Sequence, residues 1–155
     1  SRASGVGCIA PDDTPACTPL SPPSGQSVAM ERFAIAVLTL AGLGFLGFGL
    51  AIVAAPEAVL SPVGISGTTA GLVELRAFYG GLELGLAAFL LACAAKPAWR
   101  EPGLWSVALV NGGIAAARLL GIGLTGEFTG FFAAALVWEI GFTLAAILAL
   151  RMKKA

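Results

Sequence analysis

Five ionisable side chains lie inside long apolar stretches of this 155-residue chain: Glu74, Arg76, Glu83, Arg118 and Glu139. A charge at the centre of a bilayer costs roughly 2.5–3.5 kcal/mol on insertion scales. Each of these five residues is therefore expected to have an architectural or functional role. A carboxylate beside a guanidinium can form an ion pair, and both groups can hold a polar ligand. A carboxyl group whose pKa is raised by burial can also exchange protons. These residues are therefore the first candidates for a site.

The rest of the composition excludes several kinds of chemistry. There is no histidine, which removes histidine-activated nucleophiles, histidine-ligated haem and the commonest zinc sites. The cysteines, Cys8, Cys17 and Cys93, match no metal-binding spacing, and Cys93 is expected to be a small buried hydrophobe. Nine Lys and Arg balance nine Asp and Glu, so no basic excess is left to hold nucleic acid. The sequence predicts neither a metal site nor a nucleic-acid partner.

The candidate residues must be positioned by membrane-spanning helices. Charged residues make up only 12% of the chain and hydrophobic residues 57%, whereas soluble domains average roughly 25% charged residues. Four apolar runs, at about 33–55, 69–95, 104–124 and 129–150, each reach the roughly 20 residues that cross a bilayer. Because lipid offers the backbone no hydrogen bonds, each run is expected to be a helix. The predicted fold is an all-α, integral membrane four-helix bundle over residues 30–155.

Residues 1–29 are expected to lie outside this bundle. They contain five of the nine prolines and no apolar run, so they cannot bury enough surface to offset the entropy of ordering. They also lack the apolar region of a signal peptide. Cys8 and Cys17 could pair only if this extension faced an oxidising compartment. The bundle itself begins at Met30-Glu31-Arg32, a pattern typical of the start of a bacterial inner-membrane protein.

The flanking positive charges predict how the bundle is oriented. The connections at 56–68 and 125–128 contain no Lys or Arg. Four spans place both chain ends and the middle connection on the opposite side, which then carries six positive charges: Arg32, Lys96, Arg100, Arg151, Lys153 and Lys154. The positive-inside rule makes that side cytoplasmic, with both termini inside. The predicted location is the bacterial cytoplasmic (inner) membrane.

Helical geometry predicts that the polar candidates converge. At about 100° per residue, Arg76, Tyr79 and Glu83 share one face of the second span. At about 1.5 Å per residue, the arginines of the second and third spans lie about 10 Å below one boundary, and the glutamates of the second and fourth spans lie near mid-membrane. We therefore predict a net-neutral ligand-binding or ion-pair cluster whose members are Arg76, Tyr79, Glu83, Asn111, Arg118 and Glu139.

Small residues recur at intervals of about four along every span, as at Gly81 and Gly85 or at Gly113, Ala117 and Gly121. Lipid tails give no hydrophobic force between helices, so such stripes allow the close backbone approach that holds helices together. A stripe of this kind can form a dimer face. Because every span carries one, packing within a compact bundle is the favoured interpretation.

A more specific pattern lies in the second span, which contains the stretch Glu74-Leu-Arg-Ala-Phe-Tyr-Gly-Gly-Leu-Glu-Leu-Gly-Leu. The pattern Glu-x-Arg-x-x-Tyr-Gly-Gly-x-Glu falls there at Glu74, Arg76, Tyr79, Gly80, Gly81 and Glu83, and Arg118 follows in the third span. Over about residues 31–150, the chain resembles a bacterial family of four-helix membrane proteins described as a domain of unknown function. That family is distantly similar to the DoxX/DoxD-like group, some of whose members are small subunits of quinone-linked oxidoreductases. The resemblance does not extend to residues 1–29.

The favoured function for the predicted cluster is architectural. Buried ion pairs add little net stability but can specify one arrangement of helices. A small bundle fastened in this way fits a non-catalytic subunit or scaffold of a larger membrane complex, or a homo-oligomer. The expected partners are therefore the lipid bilayer and other membrane proteins, and no cofactor is predicted.

A pocket for a lipophilic molecule is the first alternative. Tyr79, Phe132 and Phe142 would supply its apolar walls, and Arg76 or Arg118 would anchor a polar group of the ligand. Such a pocket would hold a bound lipid, a quinone or an isoprenoid.

A small membrane enzyme is the second alternative, with Glu83 or Glu139 as the acid or base. No nucleophile, metal set or nucleotide motif accompanies these carboxyl groups, so the sequence leaves enzymatic activity undecided. A transport path is expected less, because transporters often use helices broken in mid-membrane and no proline falls inside any predicted span.

Overall fold

The structure is a computed structural model that describes residues 25–152, with side chains from Val28 onward. All regular structure in this range is helical and no strand occurs there, which confirms the predicted all-α fold. The proline-rich part of the extension, with Cys8 and Cys17, lies outside the described residues, as do Lys153 and Lys154.

Four long apolar helical spans account for most of the described residues. They run over Val28–Ala54, Thr69–Ala95, Pro97–Thr125 and Gly130–Met152. Each exceeds the roughly 20 residues needed to cross a bilayer, so the chain is a membrane protein. In chain order the elements are α1 (Gly25–Ala54), α2 (Pro56–Leu60), a 3₁₀ turn (Ser61–Val63), α3 (Thr69–Leu75), a π-helical segment (Arg76–Gly81), α4 (Leu82–Ala95), a second 3₁₀ turn (Pro97–Trp99), α5 (Arg100–Thr125) and α6 (Gly130–Met152).

The first helix differs from the predicted one at its start. It begins at Gly25 rather than near Phe33, so the last residues of the predicted extension are helical. Apolarity marks only the part of a helix that lies in lipid, whereas the helix itself continues until a residue stops it. No proline lies between Pro23 and Pro56, so nothing in this stretch removes a backbone donor from the helix. The glycines between Val28 and Pro56 do not interrupt the helix.

Local chemistry ends the helices. Pro56 has no N–H to continue the α1 ladder, so α1 stops two residues before it. The Thr68 hydroxyl accepts a hydrogen bond from the Gly71 N–H at 3.3 Å and caps α3. Gly126 ends α5 in the left-handed conformation, with φ of 73°, and donates its N–H to the Ile122 carbonyl at 2.8 Å.

The alternating helices give the bundle two ends. The proximal end carries the start of α1, the second 3₁₀ turn and the end of α6, and the distal end carries the connections at 55–68 and 126–129. At the proximal end, the Arg100 guanidinium forms an ion pair with Glu31 and donates from Nε to the Ala94 carbonyl at 3.4 Å. These contacts tie the start of α1 to the connection between the second and third spans.

The main hydrophobic core lies in the proximal half. α1 packs along α4, α5 packs along α6, and the two pairs meet over fully buried side chains such as Leu38, Leu90 and Val107. In the distal half, Phe78 and Leu82 are each 68% exposed. The π-helical segment packs on α1, and within the described residues it has no comparable contact with α5 or α6. The buried core is therefore concentrated at the proximal end, whereas large apolar side chains are exposed in both halves, as Leu148 is at 52%.

Glycines make the closest helix approaches. A Cβ on Gly103 would lie 2.6 Å from Cβ of Cys93 and 2.9 Å from Cδ2 of Leu38, where α5, α4 and α1 meet. A Cβ on Gly80 would lie 2.5 Å from Cγ2 of Val53, where the π-helical segment meets α1. Only the absence of a side chain permits these contacts.

The predicted stripes of small residues do not all serve this purpose. Gly85, Gly113 and Gly121 are exposed, and a Cβ on any of them would meet nothing within 4 Å. The expectation that the stripes of the second and third spans pack inside the bundle is therefore wrong for the described residues. A π-helical turn holds more residues than an α-helical turn, so the second span presents Gly80 to α1 and leaves Gly81 outside.

Candidate functional site

The strongest polar contact inside the spans joins Arg118 of α5 to Glu139 of α6. Nε of Arg118 donates to both carboxylate oxygens of Glu139 at 3.1 Å, and Nη2 donates to Oε1 at 2.6 Å. The Glu139 side chain is 7% exposed and the Arg118 side chain 22%. This forked geometry is the strongest form of arginine–carboxylate pairing. Of the two glutamates in the predicted cluster, the structure pairs Arg118 with Glu139 and not with Glu83.

Aromatic rings and a glycine position this ion pair. The ring centroids of Phe131 and Phe132 lie 5.9 Å and 5.8 Å from the guanidinium carbon of Arg118, within cation–π range. One turn beyond Glu139, the Thr143 hydroxyl donates to the Glu139 backbone carbonyl at 2.8 Å. A Cβ on Gly112 would lie 3.5 Å from Cγ2 of Thr143, so α5 and α6 are close at this level. The pair is thus shielded by α6 and its rings.

Arg76 has a different partner. Its Nε donates to the backbone carbonyl of Val53 at 3.0 Å. Val53 lies in the last turn of α1, where carbonyl groups lack partners within the helix. A cation at this position also interacts favourably with the negative end of the helix dipole. Arg76 therefore caps α1 from the second span and does not join the Arg118–Glu139 pair.

Asn111 is a buried polar residue that satisfies itself within its own helix. It is 1% exposed, and its Nδ2 donates to the Val107 carbonyl, one turn earlier in α5, at 3.0 Å. The structure therefore gives it an architectural position in the core, and within the described residues its side chain makes no hydrogen bond to the charged residues predicted to be near it.

Glu83 is the only half-buried carboxylate within the described spans that has no partner there; the other unpartnered carboxylate of the same span, Glu74, is exposed. Glu83 lies about halfway along the second span, with its Cβ only 3.2 Å from where a Cβ on Gly49 would stand. Within the described residues, its carboxylate makes no hydrogen bond and no ion pair. An ionised carboxylate at this depth requires a partner that the described residues do not supply.

The predicted common face of Arg76, Tyr79 and Glu83 is not formed. Tyr79 is 47% exposed and lies on the outside of the bundle, whereas Gly80 and Glu83 lie against α1. The face was predicted with α-helical geometry, but residues 76–81 form a π-helix, which has more residues per turn and changes the direction of each side chain. Single π-helical turns inside α-helices occur frequently at functional sites.

The aromatic residues predicted as pocket walls lie apart. Phe132 stays beside Arg118, and Phe142 packs on Trp138 with ring centroids 4.5 Å apart. Two surface depressions of the described residues each contain at most one of these aromatic residues. One of about 310 Å³ adjoins the end of α1 and is lined by Glu57 and Arg76, and one of about 240 Å³ is lined by Trp138 and Phe142.

Two charged groups with structural contacts escaped the sequence analysis. Glu57 lines the depression at the distal end, and Glu31 pairs with Arg100 at the proximal end. The sequence did contain one signal for the capping of α1 by Arg76. Pro56 has no N–H, so carbonyl groups of the preceding turn lack partners and a nearby cation was to be expected. No sequence rule indicates which arginine caps the helix.

Comparison with protein-family models matches residues 33–150 to a domain of unknown function, DUF4345. The match spans parts of all four helical spans and contains every candidate residue described above. Comparisons with curated proteins and with solved structures found no match.

Proposed function

The chain belongs to the DUF4345 family of membrane proteins of unknown function, and from this premise we propose that it is a non-catalytic subunit or scaffold of a larger membrane complex. The observation that carries the proposal is the unpartnered carboxylate of Glu83 in the middle of the second span. A distant relation to the DoxX/DoxD-like group, some of whose members are small subunits of quinone-linked oxidoreductases, is part of this proposal. The proposed location is the bacterial inner membrane with both termini in the cytoplasm, which the flanking positive charges support.

Glu83 supports assembly because its charge has no counterpart in the part of the chain that the structure describes. Leaving one buried charge unpaired typically costs about 3–5 kcal/mol. A hydrogen-bond donor or a basic side chain from a neighbouring membrane helix would remove that cost. Polar side chains that bond across helices are a common means of association in membranes. Glu83 is therefore the proposed contact to the partner.

The outer flank of the second span supplies room for such a helix. Phe78 and Leu82 lie within the motif that contains Glu83 and are largely exposed. The π-helical segment packs on α1 and makes no comparable contact with α5 or α6. Within the described residues, the flank of this segment that faces away from α1 is therefore uncovered. Exposed glycines such as Gly85 and Gly113 would allow close approach of further helices.

The alternatives have weaker support. A quinone or isoprenoid pocket would need Tyr79, Phe132 and Phe142 to line one cavity, and their surroundings differ. An enzyme would need Glu83 to act on a substrate, and the described residues place no second polar group within hydrogen-bond distance of it. Glu139 is held by Arg118 and is nearly inaccessible.

The proposal is tested by the mass of the native particle. The protein is extracted into polymer-bounded nanodiscs, and its mass is measured by light scattering for the wild type and for Glu83→Leu and Glu83→Gln. We expect the wild type to form a particle with more than one polypeptide. Glu83→Leu is expected to release the partner, and Glu83→Gln to retain part of it, because an amide still forms hydrogen bonds.

Glu74→Gln is the matched control, since Glu74 is an exposed carboxylate on the same span. It should leave the particle unchanged. Circular dichroism of each variant establishes that the helices are intact. A wild-type particle containing one chain, or a Glu83→Leu particle with the same composition as the wild type, would contradict the proposed role.

A further inference from the structure

A depression of about 310 Å³ opens at the distal end, where α1 stops and α2 begins. Its apolar lining comes from short side chains around the break in the helix, together with Pro56 and Leu72. Its polar lining comes from Glu57 and Arg76. The depression is thus built from the end of one span, the short helix that follows it and the start of the next span.

The two charged groups of the depression are free to bind. Nε of Arg76 is occupied by the Val53 carbonyl, but the two terminal nitrogens of its guanidinium have no partner within the described residues. The carboxylate of Glu57 likewise makes no ion pair or hydrogen bond there. Although both line one depression, the two side chains do not form an ion pair with each other. The site therefore presents one cation and one anion, separately.

The level of the site in the bundle places it where lipid headgroups lie. Arg76 is level with the last turn of α1, because it bonds to a carbonyl of that turn. α1 is long enough to cross the bilayer, so its end reaches the headgroup region. Arginine side chains near the ends of spans reach toward that region.

We propose that this depression binds the headgroup of a zwitterionic phospholipid with a primary ammonium group, that is, of the phosphatidylethanolamine type. The phosphate accepts hydrogen bonds from the terminal nitrogens of Arg76, and the ammonium group donates to the carboxylate of Glu57. The first acyl carbons lie against Pro56 and Leu72. The presence of one cation and one anion in a single depression, not paired with each other, is what matches the headgroup.

The same two charges exclude other common lipids. Phosphatidylglycerol has no cation for Glu57 and is repelled by that carboxylate. Phosphatidylcholine carries a trimethylammonium group, which has no N–H to donate. Loss of one hydrogen bond between charged groups corresponds to a change in affinity of about tenfold. The site should therefore prefer phosphatidylethanolamine over either competitor by about that factor.

Native mass spectrometry tests this preference directly. Purified protein is exchanged into micelles that contain equal amounts of phosphatidylethanolamine, phosphatidylcholine and phosphatidylglycerol with identical acyl chains, and the bound lipids are counted. The wild type is expected to retain phosphatidylethanolamine about tenfold more than the others. Glu57→Gln is expected to abolish the discrimination against phosphatidylglycerol, and Arg76→Met to reduce binding of all three lipids.

Two matched controls separate this site from general charge effects. Glu74→Gln removes an exposed carboxylate that does not line the depression, and Arg151→Met removes an exposed arginine at the proximal end. Both should keep the wild-type preference. If Arg76→Met unfolds the protein, Glu57→Gln still tests the proposal, because Glu57 is exposed and its substitution should not affect folding. Equal retention of the three lipids by the wild type, a preference for phosphatidylglycerol, or unchanged selectivity in Glu57→Gln would each overturn the proposal.

The lipid site shares no residue with the proposed partner contact at Glu83. Loss of the partner in Glu83→Leu should leave the lipid preference intact, and loss of lipid selectivity in Glu57→Gln should leave the particle mass intact. Failure of one inference is thus distinguishable from failure of the other.

Discussion

At the scale of single residues, four of the five charges within the apolar spans fall into three different situations. Arg118 and Glu139 neutralise each other across α5 and α6. Arg76 is held by a backbone carbonyl at the end of α1. Glu83 has no partner within the described residues. Because an unpaired charge in lipid is costly, the first two arrangements compensate their charges within the single chain, and the third is the one that the proposed partner would compensate.

Breaking the Arg118–Glu139 pair should destabilise the bundle strongly. Arg118→Leu leaves the buried Glu139 carboxylate without its donor, and we expect a loss of about 3–5 kcal/mol in the free energy of unfolding. Replacing both residues by leucine should recover much of that loss, because no charge is then left unpaired. Unfolding of the purified protein by detergent titration measures all three variants.

Arg151→Leu serves as the control for this cycle, since Arg151 is exposed at the proximal end and should change stability little. The coupling is read from the difference between the double variant and the sum of the single variants. Strictly additive losses would mean that the two side chains do not interact in the membrane.

At the scale of helices, the bundle is organised by a few glycine contacts and one irregular turn. Gly103 brings α5 onto Cys93 and Leu38, and Gly80 brings the π-helical segment onto α1. The π-helical segment changes which side chains of the second span face α1. The orientation of the side chains along the second span thus depends on a local departure from α-helical geometry. That departure falls within the motif that contains Arg76, Tyr79 and Glu83.

A methyl group added at Gly103 should loosen the proximal core. In Gly103→Ala, the new Cβ would meet Cβ of Cys93 at 2.6 Å, and a Cβ cannot move aside without moving its helix. We expect a loss of about 1–3 kcal/mol in the free energy of unfolding, as for other overpacked cores.

Gly121→Ala on the same helix is the matched comparison. Its Cβ would meet nothing within 4 Å, so it should leave stability unchanged or raise it by up to about 1 kcal/mol through helix propensity. Thermal unfolding followed by circular dichroism compares the two variants. Equal stability of Gly103→Ala and Gly121→Ala would show that α5 does not approach α4 closely at this level.

At the scale of the whole molecule, the two ends of the bundle differ in packing and in charge. The proximal half contains the main hydrophobic cluster, and the distal half exposes large apolar side chains and the flank beside Glu83. Positive charges at the connections lie at the proximal end, as with Lys96 and Arg100, and are absent from the distal connections. The proposed lipid site therefore lies at the distal end, and the proposed partner contact lies on the flank beside Glu83.

The orientation of the whole bundle follows from the same charges and can be measured. In a variant with Cys8 and Cys17 replaced by serine, single cysteines at Ser66 and Glu127 should react with an impermeant thiol reagent applied to intact cells. A cysteine at Ala98, an exposed position at the proximal end, should react only after the cells are opened. Labelling of Ala98→Cys in intact cells, with protection of the other two, would reverse the orientation.

The sequence by itself determined the number, the approximate limits and the helical character of the spans. Lipid leaves a spanning segment no other way to satisfy its backbone, so an apolar run of sufficient length predicts a helix. The sequence also identified Arg118, Glu139 and Glu83 as residues that need an explanation, because charges are costly in apolar spans.

Only the tertiary structure decided which of these residues meet. In water, an apolar stripe marks the buried face of a helix, but in lipid both faces are apolar, so hydrophobic periodicity does not indicate which side points inward. Partner choice then depends on helix rotation, and the π-helical segment alters that rotation between Arg76 and Gly81 in a way that α-helical geometry cannot anticipate. For this reason Tyr79 lies outside, Arg76 caps α1, and Arg118 pairs with Glu139 while Glu83 stays without a partner in the described chain.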